Sequence, residues 1–132
     1  MPIVVAPPDD VQHTPAVSGK DRSRHREARL SRLLGELDRI AGILAGRPDI
    51  RRVVVFGSMA RGDPSAESGL DLLIVQATEQ RFLDRLDQMY RLLVPQVACD
   101  ILVYTPEEFE RLQKESAFVA RVVREGRVLH AA

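Results

Sequence analysis

The sequence lacks the features that are typical of secreted proteins, of proteins with cysteine-bound metal clusters and of membrane proteins. Cys99 is the only cysteine in 132 residues, so an internal disulfide and a thiolate zinc cluster are both excluded. No apolar run approaches the roughly 20 residues that a membrane-spanning helix needs. The first apolar run, Ile3 to Ala6, has no basic segment before it, which argues against a secretory signal. We therefore expect a globular protein of a reducing compartment, the cytoplasm.

The chain also has no formal net charge and few aromatic residues. Lysine and arginine total 19, as do aspartate and glutamate, so the chain lacks the basic excess typical of nucleic-acid-binding proteins. Aromatic residues make up 5% of the chain, which leaves few rings for stacking on bases. A basic run over residues 20–26 could contact RNA, but it is more typical of the solvated start of a helix. We therefore expect no nucleic-acid partner and no membrane association.

The hydrophobic pattern predicts a single domain over residues 21–132, after a disordered or extended tail over residues 1–20 that is rich in proline. Apolar residues at helical spacing predict helices over 24–45, 79–94, 106–114 and 115–125. Runs rich in β-branched residues predict strands over 50–56, 70–76 and 97–104, with a helical turn over 58–62 and a loop over 63–68. This order indicates an α+β (or α/β) fold with a small mixed sheet flanked by helices. One face of the sheet, or its rim, would stay free for a ligand.

A glycine and a serine follow the first of these strands. Gly57 would let the backbone approach a ligand closely, and Ser58 would begin a helical turn whose unpaired N–H groups favour an anion. Arg61, in the same turn, is a candidate phosphate contact, with a surface ion pair as the alternative. Because a Gly-Ser pair is also common as a plain turn, the pair becomes informative only in combination with the acids that follow.

Two of the predicted strands carry an aspartate among apolar residues. Asp71 begins one strand, and Asp100 lies at the corresponding place in the next. An unpaired buried charge is costly, so each acid should lie at an exposed edge or bind a cation. Each alone could be a strand-end carboxylate satisfied by arginine or by backbone groups. Together they can converge on Mg²⁺, which typically takes one or two carboxylates plus substrate phosphates.

In combination, Gly57-Ser58, Asp71 and Asp100 resemble the minimal nucleotidyltransferases of the DNA-polymerase-β-like superfamily, over about residues 30–130. Members of that family have a Gly-Ser turn, then an Asp-x-Asp pair and a later third aspartate. The resemblance implies that the Gly57 backbone and Ser58 hold a triphosphate of ATP or another NTP. It also implies that Asp71 binds Mg²⁺ and that Asp100 is the third carboxylate, near the attacking group.

The chain departs from the family pattern at Gly69, which aligns with the first acid of the pair. Alternate strand residues face the same way, so an acid there would share the ions of Asp71. Loss of that ligand should slow transfer strongly, since each ~1.4 kcal/mol is a factor of ten in rate. Asp63 and Glu67 are candidate substitute ligands from the loop. We expect Gly69→Asp to raise transfer if the rest of the site is intact.

The resemblance implies two alternative functions. An enzyme would transfer a nucleoside monophosphate from ATP or another NTP to a hydroxyl group with Mg²⁺. Small members of the family often accompany a HEPN-type (higher eukaryotes and prokaryotes nucleotide-binding) toxin as its antitoxin, so the acceptor would belong to that helical partner protein. A catalytically inactive module of the same fold would bind and neutralise the partner without chemistry, and Gly69 supports this alternative.

Overall fold

The computed structural model of the chain describes residues 3–5, 19–62 and 69–132, with side chains from residue 24 onward. The described elements, in chain order, are β1 (Ile3–Val5), α1 (Gly19–Ala45), β2 (Ile50–Phe56), α2 (Ser58–Arg61), β3 (Leu70–Gln76), α3 (Phe82–Leu93), β4 (Cys99–Tyr104), α4 (Pro106–Glu115), α5 (Ala117–Glu125) and β5 (Arg127–Ala131). The strands form one mixed sheet in the order β1-β4-β3-β2-β5. The predicted fold class is confirmed.

The pairing of β3 with β4 places the two predicted acids side by side. These strands are parallel, and α3 supplies the crossover that a parallel pair requires. Asp71 is the register partner of Asp100 across this pair. On its other side β3 runs antiparallel to β2, where Asp71 is opposite Phe56. The end of β2 and the beginnings of β3 and β4 therefore meet at one rim of the sheet.

Apolar side chains alternate between two hydrophobic clusters, one on each face of the sheet. On one face α1 and α3 pack with Leu33, Ile40 and Leu86 against the strands. On the other face α4 and α5 pack with Phe109, Val119 and Val122. The strands are apolar on both sides, and such strands need cover on both faces. Since the described helices cover both faces of the sheet, neither face is open to a ligand, and the rim is the part of the sheet left for one.

Two strands were absent from the sequence prediction. Residues 3–5, which the prediction placed in the tail, pair with β4 as the short strand β1. Arg127–Ala131 pairs with β2 as the edge strand β5. Helix α1 begins at Gly19 and so includes the basic run. Residues 6–18 and 63–68, a tail segment and the predicted loop, lie outside the described residues. None of the described helices is both long and apolar enough to cross a membrane.

A buried arginine joins the two helical layers. Arg85 of α3 is only 7% exposed. Its Nη1 lies 2.7 Å from Oε1 of Glu108 on α4, and its Nη2 lies 3.3 Å from Oε2. Glu108 also accepts a hydrogen bond from the backbone N–H of Thr105 and so completes the cap of α4. Burial opposes the ionisation of Glu108, but Arg85 and Thr105 outweigh it and hold the pKa of this carboxyl below its ordinary value.

We expect Glu108→Ala to lower the free energy of unfolding by about 2–4 kcal/mol, because it leaves the buried Arg85 charge unpaired and removes the cap. Asp87→Ala is the matched control, since Asp87 pairs with Arg91 on the exposed surface of α3 at 3.1 Å. That change should stay within about 0.5 kcal/mol. Urea unfolding followed by circular dichroism measures both. Equal effects of the two substitutions would contradict the proposed role of the buried pair.

Candidate active site

Gly57 brings the backbone against a carboxylate. The chain turns at this residue with φ 75° and ψ −148°, a conformation that residues with a side chain rarely adopt. A Cβ atom there would collide with Oδ2 of Asp71 and would lie 3.1 Å from its Cγ. Glycine is therefore required twice, for the backbone angle and for the close approach of Asp71.

Asp71 and Asp100 form a carboxylate pair at the rim. Both side chains are half-buried and lie on the sheet face that α4 and α5 cover, at its open end. The two carboxyl groups are close enough to share a hydrogen bond. Burial, followed by the charge of Asp100 and that hydrogen bond, raises the pKa of Asp71 to about 6, and the charge of Arg61 opposes this shift. Oδ1 of Asp100 is buried without a hydrogen-bond partner among the described residues.

This pair fits a divalent cation. Two carboxylates that repel each other, one with an unsatisfied buried oxygen, provide hard ligands whose repulsion a cation would relieve. The described residues contain no group of three or more histidine, cysteine, aspartate or glutamate side chains that could hold a metal. The pair therefore suits Mg²⁺ that completes its coordination with water and substrate phosphates, rather than a closed protein cage.

A cavity of about 320 Å³ opens beside Asp71. The turn after β2 and the helix α5 form its two walls. Among the described residues, it is lined by Phe56, Gly57, Arg61, Asp71, Phe118, Arg121, Val122 and Glu125. The rings of Phe56 and Phe118 meet edge to face, with centroids 5.8 Å apart. The cavity thus combines an aromatic wall, two arginines and an acidic rim.

The structure brings most of the predicted site together. Gly57, Arg61 and Asp71 line the cavity, whereas Asp100 lies next to Asp71 and outside the lining. Ser58 begins α2 directly after Gly57 and is also outside the lining. Arg61 makes no ion pair with a described residue, so the alternative of a surface ion pair is not seen there. The candidate substitutes Asp63 and Glu67 lie outside the described residues.

The contribution of α5 was missed by the sequence analysis. Phe118, Arg121, Val122 and Glu125 recur at steps of three and four residues, so they share one face of the helix. That spacing is visible in the sequence. It does not reveal that this face of α5 lies against the Gly57 turn, because the packing of α5 on β2 decides its position.

Gly69 is closely packed as well as lacking a carboxylate. A Cβ atom at this position would lie 2.5 Å from the carbonyl oxygen of Ala98 and 3.0 Å from its Cβ. The same carbonyl accepts a hydrogen bond of 2.9 Å from the backbone N–H of Leu70. An aspartate at 69 can therefore enter only if the backbone at the start of β3 or β4 moves. This steric barrier opposes the gain in transfer that the sequence analysis expected from Gly69→Asp.

We expect Gly57→Ala to destabilise the fold by about 2–4 kcal/mol, through backbone strain and collision with Asp71. Gly62→Ala is the control, because Gly62 also has a positive φ of 73°, but an added Cβ there would have no atom of the described residues within 4 Å. It should cost about 1–2 kcal/mol. The double variant Gly57→Ala/Asp71→Ala should recover at least about 1 kcal/mol relative to additive effects. Unfolding midpoints in urea test this, and additivity would contradict the close contact.

The stability of the metal-free protein should depend on the ionisation of Asp71. Its folded pKa of about 6 lies above the ordinary value of 3.8, so folding favours the protonated form. This contribution is present below about pH 3.8 and is lost as the pH rises through about 6. Between pH 5 and pH 7.5 the wild type should lose about 1 kcal/mol relative to Asp71→Asn, after allowance for solvent screening. Urea titrations in a chelating buffer measure it, and parallel pH profiles would refute it.

Comparisons with known proteins identify the family of the chain. The family described as Polymerase beta, Nucleotidyltransferase matches residues 38–132. A Methanocaldococcus jannaschii protein named "Putative protein adenylyltransferase" is 32% identical over 84 residues, which are 64% of this chain and 82% of that protein. A crystal structure of a "putative nucleotidyltransferase" from Sulfolobus solfataricus has a TM-score of 0.51 at 22% identity. The match covers 86% of this chain and 90% of that one, and it shows the fold alone.

The family match includes the Gly57 turn, both aspartates and the whole of α5. It extends over more than half of the chain, and the resemblance seen in the sequence is thereby confirmed. This chain belongs to the polymerase-β-like nucleotidyltransferase family.

Proposed function

We propose that this protein transfers a nucleoside monophosphate from ATP, or another NTP, to a hydroxyl group of a partner protein with Mg²⁺. The observation that carries the proposal is the placement of the Asp71 and Asp100 carboxylates side by side, with Asp71 against the Gly57 turn and at the cavity. Nucleotidyl transfer depends mostly on positioning and on neutralisation of phosphate charge, and these groups supply both needs at one place.

Each residue has a role that follows from its position. Asp71 and Asp100 would hold Mg²⁺, which neutralises the phosphate charge during transfer. Gly57 lets the Asp71 carboxylate lie directly against the backbone at the cavity, since a Cβ atom there would collide with its Oδ2. Arg61 faces the same cavity with a charge that suits a phosphate. In the reaction the acceptor oxygen bonds to the α-phosphorus, pyrophosphate leaves, and the hydroxyl proton passes to a base or to water.

The acceptor is proposed to be a protein hydroxyl. The name of the M. jannaschii relative, a protein adenylyltransferase, supports a protein acceptor and ATP as donor. The resemblance to the minimal nucleotidyltransferases supports a HEPN-type helical partner, with this chain as its antitoxin in the cytoplasm. Modification of the partner would then be the means by which the protein neutralises it.

The alternative is an inactive module that neutralises the partner by binding alone. A specific observation favours it, because Gly69 packs against the Ala98 backbone and leaves no space for the family's first acid. The metal would then rest on two carboxylates, and a slow or absent reaction is expected. Both functions share the fold and the partner, and they differ in whether Asp71 and Asp100 are needed.

To test the proposal, the protein is incubated with Mg²⁺, ATP labelled on the α-phosphate and the helical protein encoded beside it. We expect labelled partner and released pyrophosphate. Asp71→Asn and Asp100→Asn should each reduce the rate at least about 100-fold, since each removes a metal ligand. Asp87→Asn, an acid of the exposed ion pair on α3, is the control and should leave the rate unchanged.

The outcome separates the two functions. Absence of transfer even at high protein concentration would contradict the enzyme. If Asp71→Asn and Asp100→Asn then bind and neutralise the partner as well as the wild type does, the inactive module is supported. If either variant loses neutralisation while it still binds the partner, chemistry is required.

A further inference from the structure

Helix α5 presents an arginine to the cavity that the Gly-Ser and aspartate pattern does not include. Arg121 lies on the face of α5 that lines the cavity, together with Phe118 and Glu125. The other arginine of the lining, Arg61, comes from α2 on the opposite wall. Two guanidinium groups from separate elements thus border one cavity.

Neither arginine forms an ion pair with an acid in the described part of the chain. Arg121 is unpaired there even though Glu125 lies four residues after it on the same helix. On α4, Arg111 and Glu115 stand four residues apart and form an ion pair of 3.8 Å. Arg121 and Glu125 have the same spacing and order on α5, yet no ion pair between them is present. The guanidinium group of Arg121 therefore remains available to a ligand in the cavity.

The position of α5 relative to the Gly57 turn is fixed by close packing. A Cβ atom at Gly126, which ends α5, would lie 2.5 Å from Cγ1 of Val54 and 3.0 Å from the carbonyl oxygen of Val55. Both valines belong to β2, the strand that leads directly into Gly57. The start of α5 is capped by Ser116, whose hydroxyl accepts a 3.2 Å hydrogen bond from the N–H of Val119. Arg121 is thus held on a helix anchored to the strand that carries the site.

The chemistry of the cavity suits a polyphosphate attached to an apolar group. Guanidinium groups bind phosphate through paired, charge-assisted hydrogen bonds. Phe118 is 43% exposed and offers a ring face or edge at the cavity. Asp71 and Glu125 add negative charge to the lining. An anion would therefore bind next to the arginines, or to a cation that Asp71 holds.

We infer that Arg121 binds the phosphate chain of the nucleotide from the α5 side, so that the chain lies between Arg61 and Arg121. This inference rests on the proposed function, because it assigns a further substrate-binding residue to the same site. It makes α5 a functional wall of the nucleotide site as well as part of the core.

The test compares the binding of ATP, tripolyphosphate and adenosine to the wild type, Arg121→Gln and Arg121→Lys, by calorimetry without Mg²⁺. Arg124→Gln is the matched control, since Arg124 is an exposed arginine of the same helix outside the cavity lining. Arg121→Gln should weaken ATP and tripolyphosphate about tenfold, as expected for one charge-assisted contact. Arg121→Lys should restore part of the loss, and Arg124→Gln should change affinity less than about twofold.

Adenosine distinguishes phosphate binding from a change in cavity shape, because its affinity should be the same in all four proteins. An equal loss for adenosine and ATP would overturn the inference, and so would equal ATP affinity of Arg121→Gln and Arg124→Gln. Failure of the wild type to bind either ATP or tripolyphosphate would overturn it too. If the expected binding pattern appears but no α-phosphate label is transferred, the proposed reaction fails and the role of Arg121 stands.

Discussion

The repulsion between two carboxylates at the same level of a parallel strand pair is the constraint on which this site depends. Asp71 and Asp100 are register partners on β3 and β4, and each is followed by strand residues buried in the core. Partial burial, followed by the nearby charge of Asp100, raises the pKa of Asp71 to about 6. The fold maintains this unfavourable pair because the apolar strands beneath it fix the register, and the pair then favours a cation at the rim.

The register has little freedom because the two faces of the sheet are packed against different helices. Leu72 faces the layer of α1 and α3, whereas Leu73 faces the layer of α4 and α5. A slip of one residue in β3 would exchange these faces and turn Asp71 toward the core that α1 covers. The Arg85–Glu108 pair joins α3 to α4 and so holds the two layers together. The functional geometry is therefore a consequence of the packing on both sides of the sheet.

The sequence was sufficient for the central strands and the acids, and insufficient for the second wall of the cavity. Asp71 and Asp100 could be found because each interrupts an apolar strand, where an unpaired charge needs an explanation. The contribution of Arg121 could not be found, since helical spacing shows which residues share a face and not what that face contacts. For the same reason Gly69 could be recognised as lacking a carboxylate, but its packing against Ala98 depends on the alignment of β3 with β4. The edge strand β5 is short and includes charged and polar residues, so its pattern predicts no strand.

Gly69 and Arg121 both make the site less negative, since Gly69 removes a carboxylate and Arg121 adds a positive charge. A missing carboxylate would weaken the binding of the proposed Mg²⁺, but it would also remove negative charge that repels a triphosphate. Arginines line both walls of the cavity, and their charge would favour a triphosphate independently of a metal. Under the proposed function, nucleotide binding and nucleotidyl transfer should therefore be separable, because binding would depend mainly on the arginines and transfer on the carboxylates. An inactive member of the family could keep the arginine contacts, so ATP binding alone does not distinguish the enzyme from the binding module. The two are distinguished by whether neutralisation of the partner depends on Asp71 and Asp100.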